Sequence, residues 1–289
     1  MSYQTRRMKV EFTLEDGGTF DSRGNILTLE NGRCFASIAA YGGMAGTELT
    51  LQVWGLSVPH MAALSARGVW IQGVPQNRLR VWADGHLIFE GFITDAYADY
   101  NQLPDVPLVV TANMQFYLRA QEVAPFSASG DVQVADVIRS MASLAGLAFE
   151  NTGVTATLSD PAFRGNIVQQ MADAARAAGC EIDIGMEKVS IWPRGETRGG
   201  TSLFVSPDRG LIGYPVFTGV GLAINTLFSP EIYNGRLIQV ATDLPNASGQ
   251  YLTLGAQHSL TSWTEGGQWS TSASLQPYGD WWQHGTAQS

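Results

Sequence analysis

Hydrophobic and polar residues alternate along much of this 289-residue chain. Val10, Phe12 and Leu14 alternate with polar neighbours, and Leu49, Leu51 and Val53 repeat the pattern before Trp54-Gly55, the period of two that half-buried strands require. Arg78 to Ala83 and His86 to Tyr97 flank Asp84-Gly85, the strongest hairpin signal in the chain, because two-residue turns of this kind need positive φ. Val106 to Met114 predicts another strand. One short helix interrupts the series: Ser57 can cap it, Pro59 suits its first turn, and Gly68 is its expected stop.

Between Phe126 and Pro193 the period changes to that of helices and alanine becomes frequent. Asp131 is positioned to cap a helix whose apolar positions Val134, Val137, Ile138, Met141, Leu144 and Ala145 share one face, ended by Gly146. Asn166 with Gln169 three residues later has the spacing of a capping box and opens a second helix, carrying Ile167, Met171, Ala174, Ala175 and Ala178 before Gly179. A hairpin follows, Glu181 to Ile184 and Lys188 to Trp192, with an apolar side that can cover both helices.

From about Leu203 the chain returns to strands. In Gly210 to Val240, Leu222, Ile224 and Thr226 alternate with Ala223, Asn225 and Leu227, and Ser229-Pro230-Glu231 forces a turn. Asn234-Gly235 offers positive φ for re-entry into a strand Arg236 to Val240. This stretch leaves no obvious room for a catalytic residue and reads as an assembly surface. Tyr251 to Trp263 and Trp269 to Leu275, separated by Glu265-Gly266-Gly267, predict a long hairpin. The expected divisions are therefore a β domain over 1–125, a small α/β domain over 126–200, a second β domain over 201–277 and an aromatic tail over 278–289. The fold class is α+β, mainly β.

Charge sharpens this picture. Only 15% of residues are charged, the formal net charge is −9, and Lys9 and Lys188 are the only lysines. That argues against a phosphate-binding face or specific nucleic-acid binding, and it suits a surface largely covered by neighbours. Cys34 and Cys180 read as two reduced, buried thiols. Arg6, Arg7 and Lys9 are not followed by an apolar run of signal-peptide length, and no stretch of eighteen apolar residues occurs. The expectation is synthesis in a cytoplasm without membrane insertion.

Catalytic signatures are missing. His60, His86, His258 and His284 lie apart from one another and from both cysteines, so neither a zinc site nor another cofactor is expected. Gly219-Val220-Gly221 fails as a dinucleotide fingerprint because Ile224 replaces the third glycine. Asp95, Asp99, Glu181, Asp183 and Asp280 could supply paired carboxylates for a glycoside hydrolase, but solvated strand faces account for them. Trp54, Trp70, Trp82, Trp192, Trp263 and Trp269 read as core or barrel packing. Tyr278, Trp281 and Trp282, in the tail, are the candidates for partner docking.

Two motif blocks resemble phage baseplate hub proteins. The first is Val134-Ala135-Asp136-Val137-Ile138, then Pro161-Ala162-Phe163-Arg164-Gly165, a helix beginning with Gln169-Gln170, and Ile191-Trp192-Pro193. The second is Gly213-Tyr214-Pro215, an apolar strand, Leu227-Phe228-Ser229-Pro230, and Gly235-Arg236-Leu237-Ile238-Gln239-Val240. Together they cover about two-fifths of the chain. The resemblance implies a non-enzymatic trimer with two tube-like antiparallel β-barrel or sandwich domains in each subunit. Such a pseudo-sixfold ring would join a hexameric tail tube to a threefold central spike and line the ejection channel. Its implied partners are itself, the tail tube protein, the spike and other baseplate proteins, in the virion. The rival readings are a carbohydrate-binding β module and a peptidoglycan hydrolase with dispersed carboxylates.

Overall fold

The computed structural model describes residues 6–15, 17–20, 24–43, 45–65, 77–121, 123–185 and 187–279. Two compact units emerge: unit one contains 1–39, 47–120 and 258–269, and unit two contains 40–46, 121–257 and 270–289.

Unit one is built from β1 (Met8–Thr13), β2 (Ile26–Glu30), β3 (Cys34–Ala40), β4 (Thr47–Val53), α1 (Val58–Leu64), β5 (Arg78–Ala83), β6 (His86–Ala98), β7 (Leu108–Asn113) and α2 (Phe116–Ala120). Its strands run in the order β3-β4-β7-β6-β5-β1-β2, so β2 is an edge. Asp84 and Gly85 take φ values of 48° and 85°, the left-handed pair that joins β5 to β6. Alternation sets the core: Val10, Phe12, Leu49, Leu51, Leu79, Val81, Phe89, Leu108 and Val110 are buried. Ser57 caps α1 as expected, accepting from the His60 amide. The helix already closes at Ser65, whose hydroxyl and amide both donate to the Met61 carbonyl; the expected stop Gly68 and the tryptophan Trp70 lie outside the described residues.

Unit two begins with β8 (Phe126–Ser127), β9 (Asp131–Gln133), α3 (Val134–Leu144), β10 (Ala148–Asn151), β11 (Thr157–Ser159), β12 (Ala162–Phe163), α4 (Ile167–Ala177), β13 (Cys180–Ile184) and β14 (Lys188–Pro193). β14 is flanked by β13, antiparallel, and β10, parallel, and both helices pack on this small sheet. Asp131 does not cap α3. It sits in β9 opposite Ser159, whose hydroxyl it accepts, and the first amide of the helix, Val134, is satisfied by the Ala156 carbonyl at 3.0 Å. Neighbouring backbone thus replaces the side-chain cap. Leu144 is 66% exposed, off the buried face.

Asn166 does cap α4, accepting from the Gln169 amide at 2.9 Å. Its neighbour Gln170 is only 1% exposed. Gln170 accepts from the Phe126 amide at 3.0 Å and donates to the carbonyls of Ala124 at 3.2 Å and Gly165 at 2.9 Å, so one side chain fastens the incoming strand to the helix. Gln170→Leu should cost about 1–3 kcal/mol for each buried group left without a partner. The check is a lowered urea midpoint with faster amide exchange at Phe126.

The rest of unit two contains β15 (Leu203–Val205), β16 (Val216–Thr218), β17 (Gly221–Leu227), β18 (Leu237–Val240), β19 (Gly249–Ser262) and β20 (Trp269–Pro277); the last residues of β19 and the first of β20 belong to unit one. Strand order is β16-β17-β20-β19, with β18 on β19 and β15 on β18. Val205, Leu222, Ile224, Ile238, Val240, Tyr251 and Leu275 form its core. At re-entry into β18 only Gly235 takes positive φ, at 82°, while Asn234 does not.

His258, on the part of β19 in unit one, is 7% exposed, and burial pushes its pKa down to about 4. A group depressed in the folded state leaves the unfolded chain holding more protons between pH 6.5 and 4, so stability falls as pH drops through that window. The loss from pH 7 to pH 5 should be about 2 kcal/mol from this group. Urea unfolding of the wild type against His258→Gln at both pH values checks it, since the variant should lack this component. Glu150 is also held below its usual range by Lys188 and Ser190, which adds acid sensitivity from the ordinary carboxylate range downward, overlapping only the acid end of that window.

Candidate assembly surface

The edge of unit two is a hairpin with an unusual surface. Gly213 turns the chain at a φ of 69°, buried Pro215 follows, and β16 pairs with β17 through Val216↔Ala223, Phe217↔Leu222 and Thr218↔Gly221. Upstream, the same outer segment is tied to β17 by the Ile212 amide on Asn225 O at 2.8 Å and the Leu227 amide on Gly210 O at 2.7 Å. The turn needs glycine: at Gly221, with φ of 150°, a Cβ would meet Leu275 O at 2.3 Å. β17 buries Leu222, Ile224 and Thr226 and turns their neighbours outward, as its alternation predicts.

Segment 210–218 lies along the outer side of β17, with β16 an end strand of the sheet, and all three residues of β16 are exposed. Between residues 212 and 227 the sequence contains no ionisable acid or base apart from the phenol of Tyr214. Over that span Ile212, Tyr214, Val216, Phe217, Val220 and Leu227 are each at least 45% exposed. Sheet edges are ordinarily guarded by charge, because their unpaired backbone groups template another strand. This edge has none, and it is apolar enough to mark an interaction site.

Behind it, Arg198 fixes the turn between β17 and β18. Its guanidinium pairs with Asp183, bonds the Ser190 hydroxyl at 2.9 Å and lies over the rings of Trp192 and Tyr233 at 5.7 and 5.4 Å. Its backbone amide donates to Gly235 O at 2.9 Å. The side chains of Arg198 and Asp183 are 12% and 20% exposed. The strands β13 and β14 are thereby locked to residues 233–235. The sequence pattern gives no sign of this clamp, since Arg198 follows the last strand of its sheet in an irregular stretch.

The chemical candidates are accounted for differently. Glu181 and Asp183 pair with Arg194 and Arg198, and Asp99 accepts from Asn101 and Gln102. Asp99 and Glu150, the carboxyls among the described residues whose titration is displaced, are both pushed down, opposite to what a general acid needs. Asp95 faces Thr111 in the β6–β7 ladder; Asp280 and His284 lie outside the described residues. Both cysteines are buried and unpaired, and burial pushes the Cys34 thiol up to about 11. Among the described residues no three His, Cys, Asp or Glu side chains gather as a metal site, and no helix is long and apolar enough to cross a membrane.

Trp192 and Trp269 are buried, at 1% and 8% exposure, and Trp54 and Trp82 carry Arg33 and Lys9 over their rings. Trp263 departs from the expectation of packing: it is 69% exposed, at a loop tip with φ of 54°. In the tail, Tyr278 is half-buried; its hydroxyl bonds Glu196 at 3.0 Å and its amide donates to Gln250 O at 2.9 Å. The phenol is thus engaged within unit two. Trp281 and Trp282 lie outside the described residues.

No known family profile matches the chain, and no curated protein matches it in sequence. Solved structures match it in fold. A tail protein from Neisseria meningitidis MC58 superposes with a TM-score of 0.64 at 9% identity, covering 95% of this chain and 97% of that one. The 43 kDa tail protein of prophage MuSo2 from Shewanella oneidensis gives 0.61 at 10% identity, covering 93% and 96%. The chain has a phage tail-protein fold. An Escherichia coli component of the type VI secretion system, described as structurally similar to the T4 tail proteins gp27 and gp5, shares that fold too, with a TM-score of 0.58 at 10% identity over 87% of this chain and 74% of its own. The mainly-β α+β class read from the sequence is the one observed.

Proposed function

We propose that this tail-fold chain is a structural, non-enzymatic hub of a phage tail baseplate, three copies of which close into a ring. The observation that carries the reading is the uncharged, apolar outer segment at 210–218, ending in the edge strand β16, which invites pairing in a protein whose net charge of −9 otherwise keeps copies apart. Unit one has its own open edge, β2, where Ile26 is 50% exposed. When β16 of one copy meets β2 of the next, the contact is head-to-tail, and head-to-tail contacts close into rings. Three chains of two units present six similar positions to a tube and three to a spike. An acidic balance keeps DNA from adhering during ejection. Division into two tube-like β domains around the small α/β domain, attachment to the tail tube protein, spike and other baseplate proteins, and docking through Tyr278, Trp281 and Trp282 belong to the same proposal.

Complementation tests it. In sedimentation velocity the wild type should run as a trimer, and Phe217→Lys and Ile26→Lys each as monomers. Their equimolar mixture should form dimers, because each variant keeps the face the other lacks. Trimers in either single variant, or a wild type that stays monomeric at high concentration, would refute the edge-to-edge ring.

A further inference from the structure

The chain enters β18 through a bulge. The Gly235 amide donates to Thr253 O at 2.8 Å and the Thr253 amide to Arg236 O at 2.9 Å, with Gly235 at a φ of 82°, so Gly235 and Arg236 stand together opposite one residue. With Leu237 paired to Leu252 and Ile238 to Tyr251, alternation puts Arg236 and Thr253 on the same face of the ladder as buried Ile238 and Tyr251. A cation on the core side is costly unless an acid answers it. Arg236 has none: among the described residues its guanidinium donates only from Nη1 to the Tyr233 hydroxyl, at 3.3 Å, and its Nε is buried without a partner. The Thr253 hydroxyl, also buried and unpartnered, can satisfy Nε at most and leaves the charge as it is.

The guanidinium borders a cavity of about 490 Å³ in unit two. Tyr233 and Gly200 form part of its wall, and a Cβ on Gly200 would overlap Arg236 Nη1. Any side chain there would close the guanidinium off. The amides of Gly199 and Gly200, at φ values of 106° and 84°, donate to no described residue. The remaining charges around the cavity cancel in pairs: Lys188 holds Glu150 at 2.7 Å, and Arg198 holds Asp183. Arg236 is the cation left over.

We propose that this cavity binds a ligand through a single carboxylate group, received by the guanidinium of Arg236, whose planar fork matches it, with the glycine amides as further donors. One surplus positive charge calls for one negative charge. A phosphate dianion would exceed that balance and face the Glu150 carboxylate in the same wall. The inference goes beyond the hub reading and does not rest on it, because every group that receives the carboxylate lies between residues 199 and 236 of one copy.

The test is a titration of the full chain at fixed ionic strength with three probes: acetate, aspartate capped as its N-acetyl N-methylamide, and inorganic phosphate. Calorimetry reads affinity, and the arginine Nε–H resonances in ¹⁵N NMR read the place. Acetate should bind with a Kd of about 1 mM, and phosphate at least about tenfold more weakly. One Nε–H resonance, assigned by its loss in Arg236→Lys, should move together with the Gly199 and Gly200 amides. Arg236→Gln should weaken acetate at least about tenfold, and Arg236→Lys, which keeps the charge without the fork, should also bind less well than the wild type. Tighter binding of the capped aspartate than of acetate would assign the carboxylate to a peptide chain and the reverse to a free acid; either result upholds the site. No saturable binding of either carboxylate, phosphate bound more tightly than both, or equal binding by Arg236→Gln would overturn the inference. An Arg236 resonance that stays still while acetate binds would overturn it equally, and this readout holds even where Arg236→Gln fails to fold.

Discussion

Arg198→Met is expected to lower the stability of unit two by about 3–5 kcal/mol, the cost of leaving a largely buried charge without its counterpart. Asp183, 20% exposed, would keep its carboxylate beside Ser190 with the cation gone. The methionine retains much of the aliphatic stem, so the loss reports charge more than volume. Two observables separate this from a general loosening. Amide exchange should accelerate in β13, β14 and at residues 233–236 while β1 and β5 keep their protection. Adding Asp183→Asn should recover part of the loss, because the orphaned charge is what costs most. An Arg198→Met chain as stable as the wild type would show that the clamp contributes nothing, and residues 233–235 would then need another anchor.

Gly235→Ala should be strongly destabilising. The residue sits at a φ of 82°, and a Cβ there would meet Trp192 Cζ2 and Arg198 Cβ, both at 2.9 Å. Left-handed strain of about 1–2 kcal/mol adds to an overpacking cost of about 1–3 kcal/mol, because Trp192 is fully buried and cannot retreat. Gly146 separates the two contributions. It ends α3 at a φ of 73° with nothing within 4 Å of a built Cβ, so Gly146→Ala should show the strain alone. Equal urea midpoints for the two variants would mean that the tryptophan and arginine give way and that the close approach is unimportant.

Local information explains what the sequence reveals of this fold. Asp84-Gly85, the Asn166 cap and the alternation through β17 are decided within a few residues, and the structure follows them. Where distant partners decide, the reading departs. Asp131 has the chemistry of a cap, yet Ser159 claims its carboxylate and the Ala156 carbonyl serves the helix instead. β10 has no alternation to betray it, and it is held by parallel pairing with β14, a strand distant in sequence. Gln170 reads as a polar residue on a helix and proves to be a buried fastener. The candidate assembly surface is the stretch that the sequence marks as strands joined by rigid turns with no obvious room for a catalytic residue. That β16 ends its sheet, and that Arg198 braces the neighbouring turn, depend on tertiary pairing that no short window contains. Trp263 escaped for the opposite reason: a tryptophan after an alternating strand normally packs, and its outward turn comes from a backbone conformation that composition does not encode.

Copies of this chain are proposed to meet edge to edge around a hollow axis. Electron microscopy of the purified full chain at assembly concentration tests it most directly. Class averages should show rings of three subunits with an open centre, dispersing into single particles for Phe217→Lys. Solitary compact particles in the wild type, or closed dimers without a central opening, would contradict it.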